Sequence, residues 1–504
     1  MACIFAFPSK SQEGSIKSVP LFRSMRVSDS DWGVYMRKKI FINGIIGQVF
    51  CLLFILTATV TAASVPSISS VRFGSGVERD RVVFDVTALP KYEVRTERDG
   101  TRIVLELVGI GDASGVKPVI RSDIIRQLRF TKLKKNIVVT IDLTEAAAFN
   151  VKTLRNPDRI FIDVKKLYEN EIRTEPAPGL VKTVYARRDK RGRFCAYLLD
   201  VDLKKYNILP ALANGQVLGR ATVSKVSEDV DAAAAVNAGY FSSTGEILGV
   251  LRMDGLVVGT TYFHRSALGI RKDGSVFVSP VYYSGQVTIG KVTRPVSGVN
   301  AERGENTLII YNRAYDVRTN TNNFGREFVV MDGKVTKISQ GNTQIPENGY
   351  VVSVHGKSRD AFVRVRVGDK VTLEEDLGNS FIDAPFVIGA GPTLVKDGKP
   401  HVTAKEEKFP PDIAQGRAPR TGVAVMPNQH VLLVVVDGRQ QSSIGATLEE
   451  FAELFVKYGA TEAVNFDGGG SSAMVIGGNL VNSPSDGTER RVGSALVVVQ
   501  RKNE

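Results

Sequence analysis

GATLEEFAELFVKYGA (residues 445–460), followed by TEAVNFDGGGSSAMV (461–475), reads as a helix, a strand and a glycine-rich turn, in that order. Thr447 suits a helix N-cap and Glu450, three residues on, completes a capping box. Leu448, Phe451, Ala452 and Phe455 share one face at helical spacing, and Gly459 provides the stop. The apolar run that follows enters a sheet, which places Asp467 at the C-terminal end of a strand. Three glycines and two serines then leave the backbone bare. Without Cβ atoms such a turn admits a ligand closely, and its successive amides form a concavity suited to an anion. The segment has neither the lysine and following helix of a P-loop nor the ligand spacing of an EF-hand, so a nucleotide is not expected.

The same plan recurs. AVNAGYFSS (235–243) and AVNFDGGGSS (463–472) share Ala-Val-Asn, glycine and a serine pair. Each leads to a Gly turn before Leu-Val and then to an Arg ahead of Ser-Ala-Leu, in GLVVGTTYFHRSALGI and GNLVNSPSDGTERRVGSALVVV. GAGPTLVKDGKP and RAPRTGVAV, between 389 and 425, repeat part of it. This predicts a duplicated β-rich module in which Asn237 and Asn465 are equivalent and converge on one cleft.

Other polar residues follow aliphatic strands. VVVDGRQ (434–440) ends a strand in Asp437, Gly438 and Arg439, and RAPRTGVAV sets Arg417, Arg420 and Thr421 just before another. Arginine matches the paired oxygens of a phosphate better than any other side chain. Tyr240 and Phe241 would floor a sugar ring or simply fill a core. Asn482, Asp486, Arg490 and Arg491 lie in a polar loop that reads as surface. The four histidines, 264, 355, 401 and 430, have no zinc-like spacing, and no nucleophile elbow is present. No cofactor is expected; calcium held by Asp and backbone carbonyls is compatible with the spacing.

At 504 residues the chain should contain two or three domains, and 47 glycines with 20 prolines favour a β-rich chain with short connections. Net charge is +13, interspersed without a basic block, which suits an anionic envelope better than nucleic acid. MRKKIFINGIIGQVFCLLFILTATVTAAS, from Met36, has a cationic start, a long uncharged stretch and small residues before a cut after Ala62. That is a signal peptide, or, uncleaved, a membrane anchor at 36–63. Residues 1–35 read as a spurious extension. Cys3 and Cys51 fall in this leader, so Cys195 alone remains and no internal disulfide is expected. Residues 69–167 form short strands in two matching halves, RVVFDVTALPKYEV with DGTRIVLELVG, and NIVVTIDLTEAAAFNV with NPDRIFIDV: an internally duplicated antiparallel β-sandwich. Residues 168–180 read as a linker, and 181–504 as one large mixed α+β domain.

VVFDV and PDRIFIDV resemble the AMIN domain of bacterial envelope proteins, which implies attachment to peptidoglycan or the envelope. AVNAGYF, RAPRTGVAV, LLVVVDGRQ, the 445–475 stretch and VNSPSDGTERRVGSAL together resemble the phosphodiester glycosidase family, from about residue 180 to 500. That family includes the enzyme that uncovers mannose 6-phosphate by removing N-acetylglucosamine from a sugar phosphodiester. Phe466 stands where Leu is common and Ala473 where Thr is common; neither departure removes a charge. The resemblance implies hydrolysis at an anomeric carbon linked to phosphate. Residue type and position within these motifs then suggest roles. Asp467 and Asp437 are the expected carboxylates. Arg420 and Arg439, with Thr421, would hold the phosphate, and Asn237 and Asn465 the sugar hydroxyls. Gly468, Gly469, Gly470, Ser471 and Ser472 would cradle the diester. The expected substrate is a wall or capsular glycan–phosphate polymer outside the bacterial cytoplasm. The competing reading is a non-catalytic protein that binds or assembles envelope glycans. A metal-dependent phosphodiesterase would need clustered His and Asp ligands that the sequence does not supply.

Overall fold

The computed structural model describes residues 65–260 and 263–501. The expected leader and the extension before it lie outside the described residues. Among the described residues no helix is long and apolar enough to cross a membrane.

The first eight strands are β1 (Ile68–Ser75), β2 (Arg79–Val86), β3 (Lys91–Glu97), β4 (Arg102–Val108), β5 (Ile125–Leu133), β6 (Asn136–Leu143), β7 (Phe149–Leu154) and β8 (Arg159–Lys165). They form two antiparallel sheets of order β1-β2-β8-β7 and β5-β6-β4-β3. The halves swap partners: β8 of the second half pairs with β2, and β4 of the first pairs with β6. Strict alternation in β2 and β6 turns Val82, Phe84, Val139 and Ile141 into one shared core. The expected duplicated sandwich is what these residues form.

The expected linker is a strand. β9 (Tyr168–Ala177) pairs antiparallel with β10 (Leu180–Asp189) at the edge of the largest sheet. One face carries Glu169, Glu171, Arg173 and Glu175 and the other holds only Tyr168 and Ile172 as large apolar side chains, nearly all of it exposed, so no buried apolar stripe marks it. Glu169 and Glu171 instead bind Lys457 and Tyr458 at the far end of a helix.

The remaining elements are β11 (Gly192–Asp202), β12 (Tyr206–Leu212), α1 (Val223–Asp229), β13 (Ala234–Asn237), β14 (Leu251–Met253), β15 (Leu256–Gly259), β16 (Arg265–Ile270) and β17 (Val276–Val281). A lobe with its own core follows, comprising β18 (Ser284–Ile289), β19 (Val292–Pro295), β20 (Gly298–Val299), β21 (Leu308–Asn312), β22 (Arg326–Met331), β23 (Lys334–Ser339), β24 (Gly349–Val354), α2 (Lys357–Ala361) and β25 (Val371–Asp376). The chain then returns through β26 (Phe386–Gly389), β27 (Thr393–Lys396), β28 (Lys399–Pro400), α3 (Pro411–Ala414), β29 (Arg420–Met426), β30 (His430–Val436), α4 (Leu448–Lys457), β31 (Glu462–Asn465), β32 (Met474–Ile476), β33 (Asn479–Leu480) and β34 (Ser494–Gln500).

Outside the lobe, one five-strand plan occurs three times. The orders are β15-β14-β26-β16-β17, β28-β27-β31-β29-β30 and β33-β32-β13-β34-β12, the second extended by β11, β10 and β9. In each, a two-residue hairpin with positive φ at both positions forms one edge: Asp254-Gly255, Asp397-Gly398 and Gly477-Gly478. The central strands are in matching register, with Gly389 opposite Ala267, Asn465 opposite Gly422 and Asn237 opposite Ala495. The next amide then repeats one bond: Ala390 to the Ser266 carbonyl at 2.9 Å, Phe466 to Thr421 at 2.8 Å, Ala238 to Ser494 at 3.1 Å. The partial recurrence read at 389–425 therefore belongs to a plan of three full copies, one of which carries Gly389 where the others carry Asn.

Each central strand hands the chain to the hairpin of the next sheet, so the three crossings run past one another at one place. α4 forms as expected and packs against β27 and β28. Thr447 and Glu450 form the capping box, and Leu448, Phe451, Ala452 and Phe455 are buried. Phe451 lies so close to Gly422 that a Cβ there would sit 2.9 Å from its ring and from the Val464 carbonyl.

Candidate functional site

Asp467 sits where two crossings touch. Its amide donates to the Ala238 carbonyl at 3.0 Å, and Gly391 donates to the Asn465 carbonyl at 2.9 Å. The Ser471 side chain and the Gly468 backbone favour the charged form of its carboxyl. Burial raises its pKa to about 6, against the pull of Ser471 and of the Arg490 guanidinium. It keeps partial solvent access, unlike the residues before it.

The glycines that follow save space. A Cβ on Gly468 would approach the Pro419 carbonyl to 2.8 Å, and one on Gly470 would overlap Arg490 and Asp486; Gly469 has φ +61°. The expected amide cradle is largely absent. Gly469 donates to Pro419, Ser471 to Gly468 and Ser472 to Gly469, so these N–H groups are already taken. The turn instead clears room for cations. Arg439, exposed and at φ +59°, reaches over Gly469, its guanidinium 3.5 Å from where a Cβ would lie. Arg490, paired with Asp486 at 2.6 Å, covers Gly470.

Several expected ligand-binding residues are spent inside the protein. Asn237, 1% exposed, donates to the Asp467 carbonyl at 2.6 Å and accepts from Thr421 Oγ1 at 2.8 Å and the Ala473 amide at 3.1 Å. It ties two crossings together from a buried position, and Thr421 is committed to it. Asn465 donates to Tyr240, Gly391 and Phe466, while its Oδ1 is buried without a partner. Ser472 Oγ is likewise buried and unpartnered.

Arg420, 3% exposed, donates to the carbonyls of Ala446, Ile413 and Gly416, holding α3 against the loop before α4. Burial lowers its pKa. Asp437, 1% exposed, accepts from Asn482 Nδ2 at 3.1 Å and from the Ser483 amide at 3.0 and 3.2 Å. Burial lifts its pKa to about 6 against these bonds. It anchors the loop that carries Asp486 and Arg490.

Two further residues lie by Asp467: Tyr240, read as a sugar floor or as core, and Arg490, read as surface. Tyr240 donates to the Gly391 carbonyl at 2.9 Å, and burial together with the Asp467 charge pushes its phenol well above the ordinary range. Arg490, held by Asp486, favours the ionised form of Asp467 through its charge. Its four-residue spacing from Asp486 was the available signal, because an ion pair at that interval marks a loop folded on itself. Among the described residues no group of three or more His, Cys, Asp or Glu side chains could hold a metal ion.

This geometry lies within a recognisable segment: residues 324–499 match the model of the phosphodiester glycosidase family. The chain carries a phosphodiester glycosidase domain. The match covers Arg420, Asp437, Asp467 and Arg490, while Asn237 and Tyr240 reach the site from outside it. A prophage-derived uncharacterised protein, YomE, of Bacillus subtilis is 31% identical over 129 residues, 24% of this chain and 20% of that protein. The N-acetylglucosamine-1-phosphodiester alpha-N-acetylglucosaminidase of Bos taurus is 39% identical over 67 residues, 13% of this chain and 12% of that one. The chain thus spans a fifth or less of the length of these curated relatives. A hypothetical protein from Synechocystis shares the fold, with TM-score 0.60 at 23% identity over 87% of this chain and 81% of its own.

Proposed function

We propose that the protein hydrolyses glycosyl phosphodiesters, breaking the bond between an anomeric carbon and the phosphate oxygen, in a wall or capsular glycan of the bacterial envelope. The observation that carries this reading is Asp467: a carboxyl with pKa about 6, partly open to solvent, beside a turn stripped of side chains and overhung by Arg439 and Arg490.

The leaving group is already a phosphate, so its departure asks little of a general acid; the demand is to stabilise an oxocarbenium-like carbon and admit water. Ionised Asp467 is suited to the carbon. Arg439 and Arg490 are suited to the departing phosphate. Asp437 acts at one remove, by holding the 482–483 backbone from which the Arg490 loop springs. Export through the 36–63 leader, and envelope attachment through the sandwich as an AMIN-like domain, complete the proposal.

The test uses the full chain with a panel of sugar-1-phosphodiesters in 18O-labelled water. Label in the released sugar, and none in the phosphomonoester, is the expected result. Asp467→Asn should lower turnover by about a hundredfold or more, the usual cost of losing transition-state charge stabilisation. Near-normal turnover by that variant would sink the assignment. No release from any substrate, with retention on purified envelope polymer, would favour the glycan-binding reading.

A further inference from the structure

Arg265 opens β16 at the position that Arg420 occupies in β29: each precedes a Ser or Thr whose carbonyl receives the amide after a central strand. The two arginines have opposite fates. Arg420 gives its N–H groups to three carbonyls. Arg265 forms no hydrogen bond and no ion pair among the described residues, and its Nε is buried without a partner.

What holds Arg265 is aromatic. Its guanidinium carbon lies 4.0 Å from the centroid of Phe409 and 5.4 Å from that of Phe263. Phe409 in turn packs on Tyr240, their ring centroids 5.8 Å apart. Backbone freedom is removed at the next residue, where Glu407 accepts from the Ser266 amide at 2.9 Å and from its hydroxyl at 2.6 Å. Tyr240 in turn donates to the Gly391 carbonyl and accepts from Asn465, two residues before Asp467, so the stack runs from Arg265 to the cleft; the Asp467, Arg420 and Arg265 charges all reach its phenol.

A guanidinium fixed by stacking, with its donor edge unused, is a receptor for an oxyanion with two adjacent oxygens. A merely structural arginine would resemble Arg420. We infer that Arg265 is an anion subsite of this cleft, binding the phosphate oxygens of the substrate in the role expected of Arg420. The inference deepens the hydrolase reading and rests on it only for the location of the reacting bond.

Titration of the full chain with inorganic phosphate, followed by calorimetry, tests it without turnover. The unmodified protein should bind phosphate, Arg265→Gln should weaken binding by about tenfold or more, and Asp467→Asn should bind at least as well as the unmodified protein. In turnover, Arg265→Gln should raise KM for the diester more than it lowers kcat. If the Gln variant melts early, Arg265→Lys decides: it keeps a charge over Phe409 without a paired N–H edge and should still bind severalfold more weakly. Phosphate affinity unchanged in both variants, or no phosphate binding by the unmodified protein, overturns the inference. Loss of binding in a protein that hydrolyses nothing would instead leave the subsite standing and remove the hydrolase reading.

Discussion

Replacing Asp467 by Asn should make the protein more stable while making it inactive. The carboxyl has its pKa raised from an ordinary 3.8 to about 6. An acid raised in the fold binds its proton more tightly there than in the unfolded chain. Its contribution is therefore fully favourable below about pH 4 and is lost as pH climbs through 6. A shift of roughly two units corresponds to at most ~3 kcal/mol at pH 7 and above. Part of that is returned by the variant, because an amide presents one acceptor to Ser471 and Gly468 where the carboxylate presents two. A net gain of about 1–2 kcal/mol, or several degrees in melting midpoint, is the expectation at pH 8. At pH 4 the two proteins should melt together. Thermal melts of both proteins from pH 4 to pH 8 make the comparison. Equal midpoints at pH 8, or a difference that does not change with pH, would refute the claim that ionised Asp467 is held at a cost.

The same carboxyl sets a pH profile: if its ionised form stabilises the cationic carbon, kcat/KM should fall about tenfold per unit below pH 6, and a flat profile to pH 4.5 would contradict that role. Gly470→Ala should displace the Arg490–Asp486 pair, lowering turnover severalfold while leaving the melting midpoint nearly unchanged, because flexible side-chain ends can move aside. Gly422→Ala should do the reverse, costing about 1–3 kcal/mol in denaturant melts, because its Cβ meets the Phe451 ring and a backbone carbonyl that cannot retreat.

What could be read from the chain depended on how local its cause was. The α4 capping box, its buried face and the hairpin turns are settled within ten residues, and they appear as expected. Asp467 at the end of a strand is equally local. The internal bonds of Asn237 and Arg420 were not legible, for the opposite reason. The partner of Asn237 is the carbonyl of Asp467, 230 positions away, and nothing near Arg420 announces that the carbonyls of Ile413, Gly416 and Ala446 will converge on it. The third repeat was legible only in part because its central strand ends in Gly389, and β9 escaped because an exposed edge strand with few apolar side chains offers no buried stripe to detect. Arg265 has the least local signature of all, since its meaning lies in bonds that its repeat-mate makes and it does not.

The interlocked sheets also constrain how the protein comes into being. β13 is flanked by β32 and β34, so a strand ending at residue 237 finds its neighbours only beyond residue 473. Such distant pairing is slow, because loop closure precedes the contacts that reward it. Asp467, Tyr240 and Asn237 cannot meet until β34 has docked, and no truncated product of synthesis can assemble the cleft. On the export proposed above, such a chain would complete its cleft only after its last strand had crossed.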